Sequence, residues 1–319
     1  MNASLTVSRG ALGDTLAYLA SPAAIDSIRA DPYWPKWDAP WWRMTLLHEL
    51  GLAHEIPQSA VRAMTREVAD AYIPFFPLTL AEVPAGKDPV RDVACHCALG
   101  TIYQVLAAGG VNVDAELPWA RPWFVRYQLP DGGLNCDEAA YTRSVPRSSF
   151  LSTLPALEAI LLAAPRPLSS DEVRFLDRGA RYLLDRGLCR SLSKGGAVID
   201  ASWLAPCFPR FYDYDVLRGL SFVTRWATEL SRELPAAAVA EVRTLLDAAE
   251  RDGQLSAGRR AEADARTRFR DADGAWQTGG EAKRFALLDE VSVVGAPSPW
   301  LTREWIETKA RSRELLAAR

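Results

Sequence analysis

The sequence predicts an all-α fold, an α/α toroid of about five to six helical hairpins with apolar inner helices and amphipathic outer ones. Three observations predict it. Strand signals are sparse: few segments alternate apolar and polar residues over strand length, and β-branched clusters are short. Apolar residues recur at three- and four-residue spacing along most of the chain. The helices also alternate in character, at roughly 50–65 residues per pair and about 85 for the last, a period of the kind that marks helical-hairpin arrays. An open array needs polar caps at its ends. A closed ring does not, and it places the apolar helices inside.

Each element has a local reason. Trp42–Leu52 and Ser59–Tyr72 carry helical spacing. Asp92–Leu106 is apolar and stops at Gly109-Gly110. Pro118–Tyr127 is broken by Pro130-Asp131-Gly132-Gly133, and Ser148–Leu162 opens on serine caps. Ser170 followed by Asp171-Glu172 starts a helix that runs to about Asp185. Asp213–Leu230, Pro235–Glu250 and Ser298–Leu316 complete the set. The apolar members start near Pro40, Asp92, Ser148, Asp213 and Ser298; the amphipathic ones start near Ser59, Pro118, Ser170 and Pro235.

Composition narrows the function. A chain of 319 residues with 49% hydrophobic content can bury a large core, and residues 1–319 are read as one domain. A net charge of −3 implies no basic face for nucleic acid. Sign-alternating runs such as Arg259–Arg270 are read as a solvated helix face. No stretch reaches the roughly 20 apolar residues of a membrane span, and Met1–Ala20 lacks the apolar run of a secretory signal. Five cysteines, an odd number in a long chain, point to reduced thiols in the cytoplasm. The 11 tryptophans imply an aromatic core or an aromatic cavity. Oligomeric state is not legible.

A family resemblance rests on two turns. Trp123-Phe124, Gln128, Asp131-Gly132-Gly133 and Leu134 resemble the glutamine–tryptophan repeat of the terpenoid cyclase and protein prenyltransferase superfamily, with Leu134 where the repeat has Trp. Asp273-Gly274-Ala275-Trp276 is a second echo. In such turns glycine permits positive φ and glutamine ties neighbouring backbone ends. The layout from Trp37–Leu52 to Pro297–Trp305 resembles bacterial single-toroid relatives with squalene-cyclase-type repeats. The resemblance implies a central cavity faced by the inner-helix ends. That would gather Trp37, Asp38, Trp41, Trp42 and Arg43 with Asp92, Cys95, His96 and Cys97. It would add Ser148, Ser149 and Ser152, Tyr212 to Asp215, and Trp300 and Thr302.

Two chemistries compete for that cavity. Asp213-Tyr214-Asp215-Val216 resembles the Asp-X-Asp-Asp motif of proton-initiated cyclases, with Val216 at the fourth position; the resemblance makes Asp215 the proton donor. Burial and a neighbouring carboxylate keep such an acid protonated, and aromatic faces such as Trp37, Trp41, Trp42, Tyr212 and Tyr214 stabilise carbocations. The alternative is that Asp213 and Asp215 serve only to start a helix, with Arg218 as a partner. Asp92, Cys95, His96, Cys97 and Cys136 carry the zinc-ligand side chains, and Cys95-His96 resembles the adjacent pair of lanthionine cyclases. Consecutive helical residues project about 100° apart, so all three of 95, 96 and 97 rarely meet one ion. Arg43, Arg126, Arg143, Arg147 and Arg210 are candidate anion grips.

The leading expectation is an enzyme of isoprenoid-like or other hydrophobic small-molecule chemistry, with Asp213, Asp215 and His96 as acid or orienting groups. One alternative is a zinc enzyme acting on thiols or peptides through the Cys95/His96 region. The other is a non-catalytic toroid that binds a lipid or peptide.

Overall fold

The computed structural model describes residues 7–163, 165–262, 266–271, 273 and 275–317. Two helices precede the first one expected. Ser8 caps α1 (Arg9–Ala20) by accepting from the Ala11 amide at 3.3 Å. Ser21 does the same for α2 (Pro22–Ala30), whose first residue is a proline that needs no donor there. α3 (Pro40–Glu49) also opens on proline and buries Trp41, Trp42, Met44, Leu46 and Leu47. α4 (Gln58–Ala71) shows the amphipathic stripe of an outer helix, burying Ala60, Val61, Met64, Thr65 and Val68.

α5 (His96–Ala108) is buried around most of its circumference and ends at the glycine pair. Three short helices follow: α6 (Val113–Glu116), α7 (Ala120–Arg126) and α8 (Ala139–Thr142). α9 (Phe150–Leu162) is again buried nearly all round. α10 (Ser170–Leu184) begins with a capping box between Ser169 and Glu172. α11 (Val216–Glu229) is capped by Asp215, and α12 (Ala236–Ala249) lies against it. α13 (Ala286–Val291) and α14 (Pro299–Ala317) end the described chain.

The protein is all-α in character, and the described residues hold one exception. β1 (Arg266–Arg270) and β2 (Trp276–Glu281) form an antiparallel hairpin in the long interval between α12 and α13. This corrects the reading of Arg259–Arg270 as a helix face: from Arg266 on, the run is strand. Asp273, Ala275 and Trp276 therefore belong to a hairpin rather than to a turn between helices, and Gly274 lies outside the described residues.

The five apolar helices pack in chain order: α3 on α5, α5 on α9, α9 on α11, and α11 on α14. The tightest step is α5 on α9. A Cβ on Gly100 would lie 2.5 Å from the Pro155 carbonyl carbon, so only glycine permits this approach. Gln104 then donates to Gly100 O at 3.2 Å and Pro155 O at 3.1 Å across the seam. The turn that follows α7 is tied to its neighbours by Gln128. Gln128 donates to Gly132 O at 2.7 Å and to Phe175 O on α10 at 2.8 Å. Gly132 has φ +97° beneath the Arg178 carbonyl.

All five apolar helices line one cavity of about 340 Å³. Its walls are largely charged, with Phe208, Phe211, Phe222 and Trp300 among them. They include His48 and Glu49 from α3, Glu158 from α9, Arg218 from α11 and Glu304 from α14. Among the described residues no helix is long and apolar enough to cross a membrane.

Candidate metal centre

The site lies where α5 begins. Cys95 is the N-cap of this helix and Cys97 sits in its first turn, where the helix dipole favours negative charge. Cys136 reaches them from the loop after the Gly132 turn, its amide donating to Ser152 Oγ at 3.0 Å on α9. The three sulfurs converge. Cys97 Sγ is 3.2 Å from Cys95 Sγ and 3.6 Å from Cys136 Sγ, and all three lie within 4.8 Å of one another. Zinc–sulfur bonds of about 2.3 Å at tetrahedral angles hold thiolates roughly 3.8 Å apart, so the trio brackets the spacing a metal needs. Hydrogen bonding to Cys95 and Cys97 lowers the Cys136 thiol well below its ordinary value, while Cys95 and Cys97 are raised. Three convergent thiols are the donors from which a metal thiolate centre forms, with release of their protons.

Two other expected ligands do not join the trio. The Asp92 carboxylate accepts from the Asp88 amide at 2.9 Å and closes its own turn. His96 is fully buried with both ring nitrogens engaged. The Trp123 indole donates to Nδ1 at 2.8 Å, which places the neutral ring's proton on Nε2, 2.8 Å from the Tyr141 hydroxyl. Burial lowers this imidazole to about 4, against a smaller opposing effect of Cys136. His96 thus supports the site from behind, with Phe76, Tyr127 and Tyr141 around its ring.

Three of the expected aromatics gather in a cluster that includes Tyr33, which lines the same cleft as Cys95 and Cys136. Trp37, Trp42 and Tyr212 form one cluster with Tyr33 and Phe211. Trp37 reaches it through a left-handed backbone, φ +73°. Tyr33 and Tyr212 are raised first by burial and then by the field of Cys97.

The feature that motif reading missed is Lys36. Its ammonium donates to Tyr212 Oη at 2.6 Å and lies 5.2 Å from the Trp37 ring centroid. Burial lowers Lys36, and Cys97 and Cys95 oppose that effect. The available signal was a lysine set between tryptophans in a chain where arginine far outnumbers lysine.

The remaining candidates lie elsewhere. Trp41 is core, and Tyr214 is core with its hydroxyl donating to Leu188 O at 2.5 Å. Asp38 accepts from the Lys283 amide at 2.8 Å, and Arg43 stacks between Tyr18 and Phe285. Trp300 stacks on Phe208 beside the charged cavity, while Thr302 binds the Leu255 backbone. Asp213 pairs with Arg259 at 2.6 Å. Asp215 is wholly buried and accepts four hydrogen bonds. The Arg210 guanidinium supplies two, at 2.6 and 3.2 Å, and the Cys207 and Arg218 amides supply the others, at 2.9 and 2.8 Å. The Arg218 side chain goes to Glu158 instead.

An apolar cleft of about 490 Å³ reaches the thiols, with Cys95, Ala98 and Cys136 in its wall. No family model matches the chain, and comparison with curated proteins and with solved structures finds no match.

Proposed function

We propose that the chain is a zinc-dependent enzyme acting on thiols, its metal held by Cys95, Cys97 and Cys136. The observation that carries this reading is the convergence of three thiols from two separate segments, two of them, Cys95 and Cys136, in the wall of a cleft. Thiolate donors favour zinc and other soft metals over magnesium or calcium. Three protein ligands leave a fourth position for substrate, as catalytic rather than structural zinc sites do. Zinc there lowers the pKa of a bound thiol and so prepares a sulfur nucleophile. In this reading Lys36, held against Tyr212, balances part of the negative charge of three thiolates.

We also propose that residues 1–319 form one α/α toroid of the terpenoid cyclase and prenyltransferase type, with α3, α5, α9, α11 and α14 inside. The shared cavity and the Gln128 tie support it. The free state of Cys95, Cys97, Cys136, Cys189 and Cys207 supports work in a reducing compartment such as the cytoplasm. Cyclase chemistry at Asp213 and Asp215 has less support, because arginines and backbone amides already engage both carboxylates.

Elemental mass spectrometry on protein purified without a metal-affinity tag tests the metal. Near-stoichiometric zinc is expected, with at least about a tenfold weaker hold on it in Cys136→Ala. A wild-type protein that neither carries zinc nor takes it up overturns the reading.

A further inference from the structure

We propose that the ligand completing this centre is a small thiol with an apolar body, seated in the 490 Å³ cleft; the inference rests on the metal reading above. The cleft is built chiefly from the connection between α4 and α5, residues 72–95, whose only regular element is a single turn at Leu80–Glu82. Connections of that length without structure of their own are uncommon in compact proteins and are usually functional. This one is fastened at several points. The Ile73 amide donates to Asp92 O at 2.7 Å, the Phe76 amide to Tyr127 Oη at 2.9 Å, and Lys87 Nζ to Ala71 O at 2.6 Å. Asp88 is paired with Arg270 on the hairpin. A loop so tied presents a formed wall rather than a collapsed one.

The wall is apolar. Tyr72, Phe76, Leu78, Leu80 and Val93 line the cleft together with Tyr33 and Trp34, and the charged lining residues are Arg91 and Glu138. Leu80 stands 78% exposed, an apolar side chain left uncovered beside a cavity of ligand size. Because Cys95 and Cys136 share this lining, a ligand whose sulfur meets the metal must lay the rest of its body along these side chains. The thiol gives up its S–H proton to solvent on binding, and no redox step is involved. Carboxylate-rich or strongly hydrated thiols lose hydration in such a wall without gaining partners.

The test uses full-length protein loaded with cobalt(II), titrated with benzyl mercaptan and, separately, with 2-mercaptoethanol. Sulfur-to-cobalt charge-transfer absorbance reads thiol binding. The aromatic thiol is expected to bind at least about tenfold more tightly, as burial of a ring requires. Leu80→Glu is expected to cut that preference by at least about threefold with one cobalt still bound per chain. Equal affinity for the two thiols overturns the inference and leaves the metal site standing. Failure to load cobalt at Cys95, Cys97 and Cys136 overturns both.

Discussion

At the scale of single residues, the structure separates side chains that the sequence makes look alike. Asp215 lies in an acidic motif, but its geometry is that of an N-cap and an ion-pair partner. Its neighbour in space, Arg210, also pairs with Glu304, 94 positions away, at 2.7 Å. No local pattern reveals such a partner, so the sequence leaves the role of Asp215 open. The consequence is measurable. Asp215→Asn leaves the buried Arg210 short of its counter-charge and is expected to cost about 3–5 kcal/mol in chemical denaturation. A proton donor that the fold does not need would cost far less. The cysteines were legible because Cys95 and Cys97 flank a histidine and few other thiols exist. What the pattern hides is direction. His96, between them on the same turn, projects away from both sulfurs toward Trp123 and Tyr141.

At the scale of elements, periodicity finds the long helices because burial on one face, or on all faces, is written into residue type. α9 and α5 are read correctly for that reason, and their ends fall within a few residues of the expectation. The first two helices were missed because they are short and bury few residues, Ala11, Thr15 and Leu19 in one and Ala24 and Ile28 in the other. The β-hairpin was missed because its residues are charged and mostly exposed, which is also the composition of a solvated helix. The α5–α9 seam gives the prediction at this scale. Gly100→Ala places a methyl 2.5 Å from a backbone carbon, and neither helix can yield without disturbing the Gln104 hydrogen bonds. A loss of about 1–3 kcal/mol is expected, read as a lowered thermal midpoint. An unchanged midpoint would mean that the helices are not packed this closely.

At the scale of the whole molecule, the charged cavity shared by five helices holds a histidine, His48, that ties stability to pH. His48 lies in it, with Glu49, Glu158, Arg210 and Arg218 around it. Burial lowers this imidazole from 6.5 to about 4, Glu158 opposes the shift and Arg218 adds to it. The folded protein therefore keeps His48 neutral where the unfolded chain would protonate it. Its contribution to stability is intact above pH 6.5 and is lost as pH falls toward 4, by up to about 1.4 kcal/mol per unit. Unfolding free energies measured between pH 7 and 4 should show that decline, and His48→Gln should make it shallower. The hairpin carries a different consequence. Lys36 is pinned by its amide to Arg268 O at 2.9 Å and by its carbonyl to Thr267 Oγ1 at 2.9 Å. During synthesis the three cysteines are all present once residue 136 has been made, yet the strand that pins Lys36, whose charge acts on them, emerges more than a hundred residues later. A nascent chain thus offers bare thiols to metal or oxidant well before their flanking cation is locked in place.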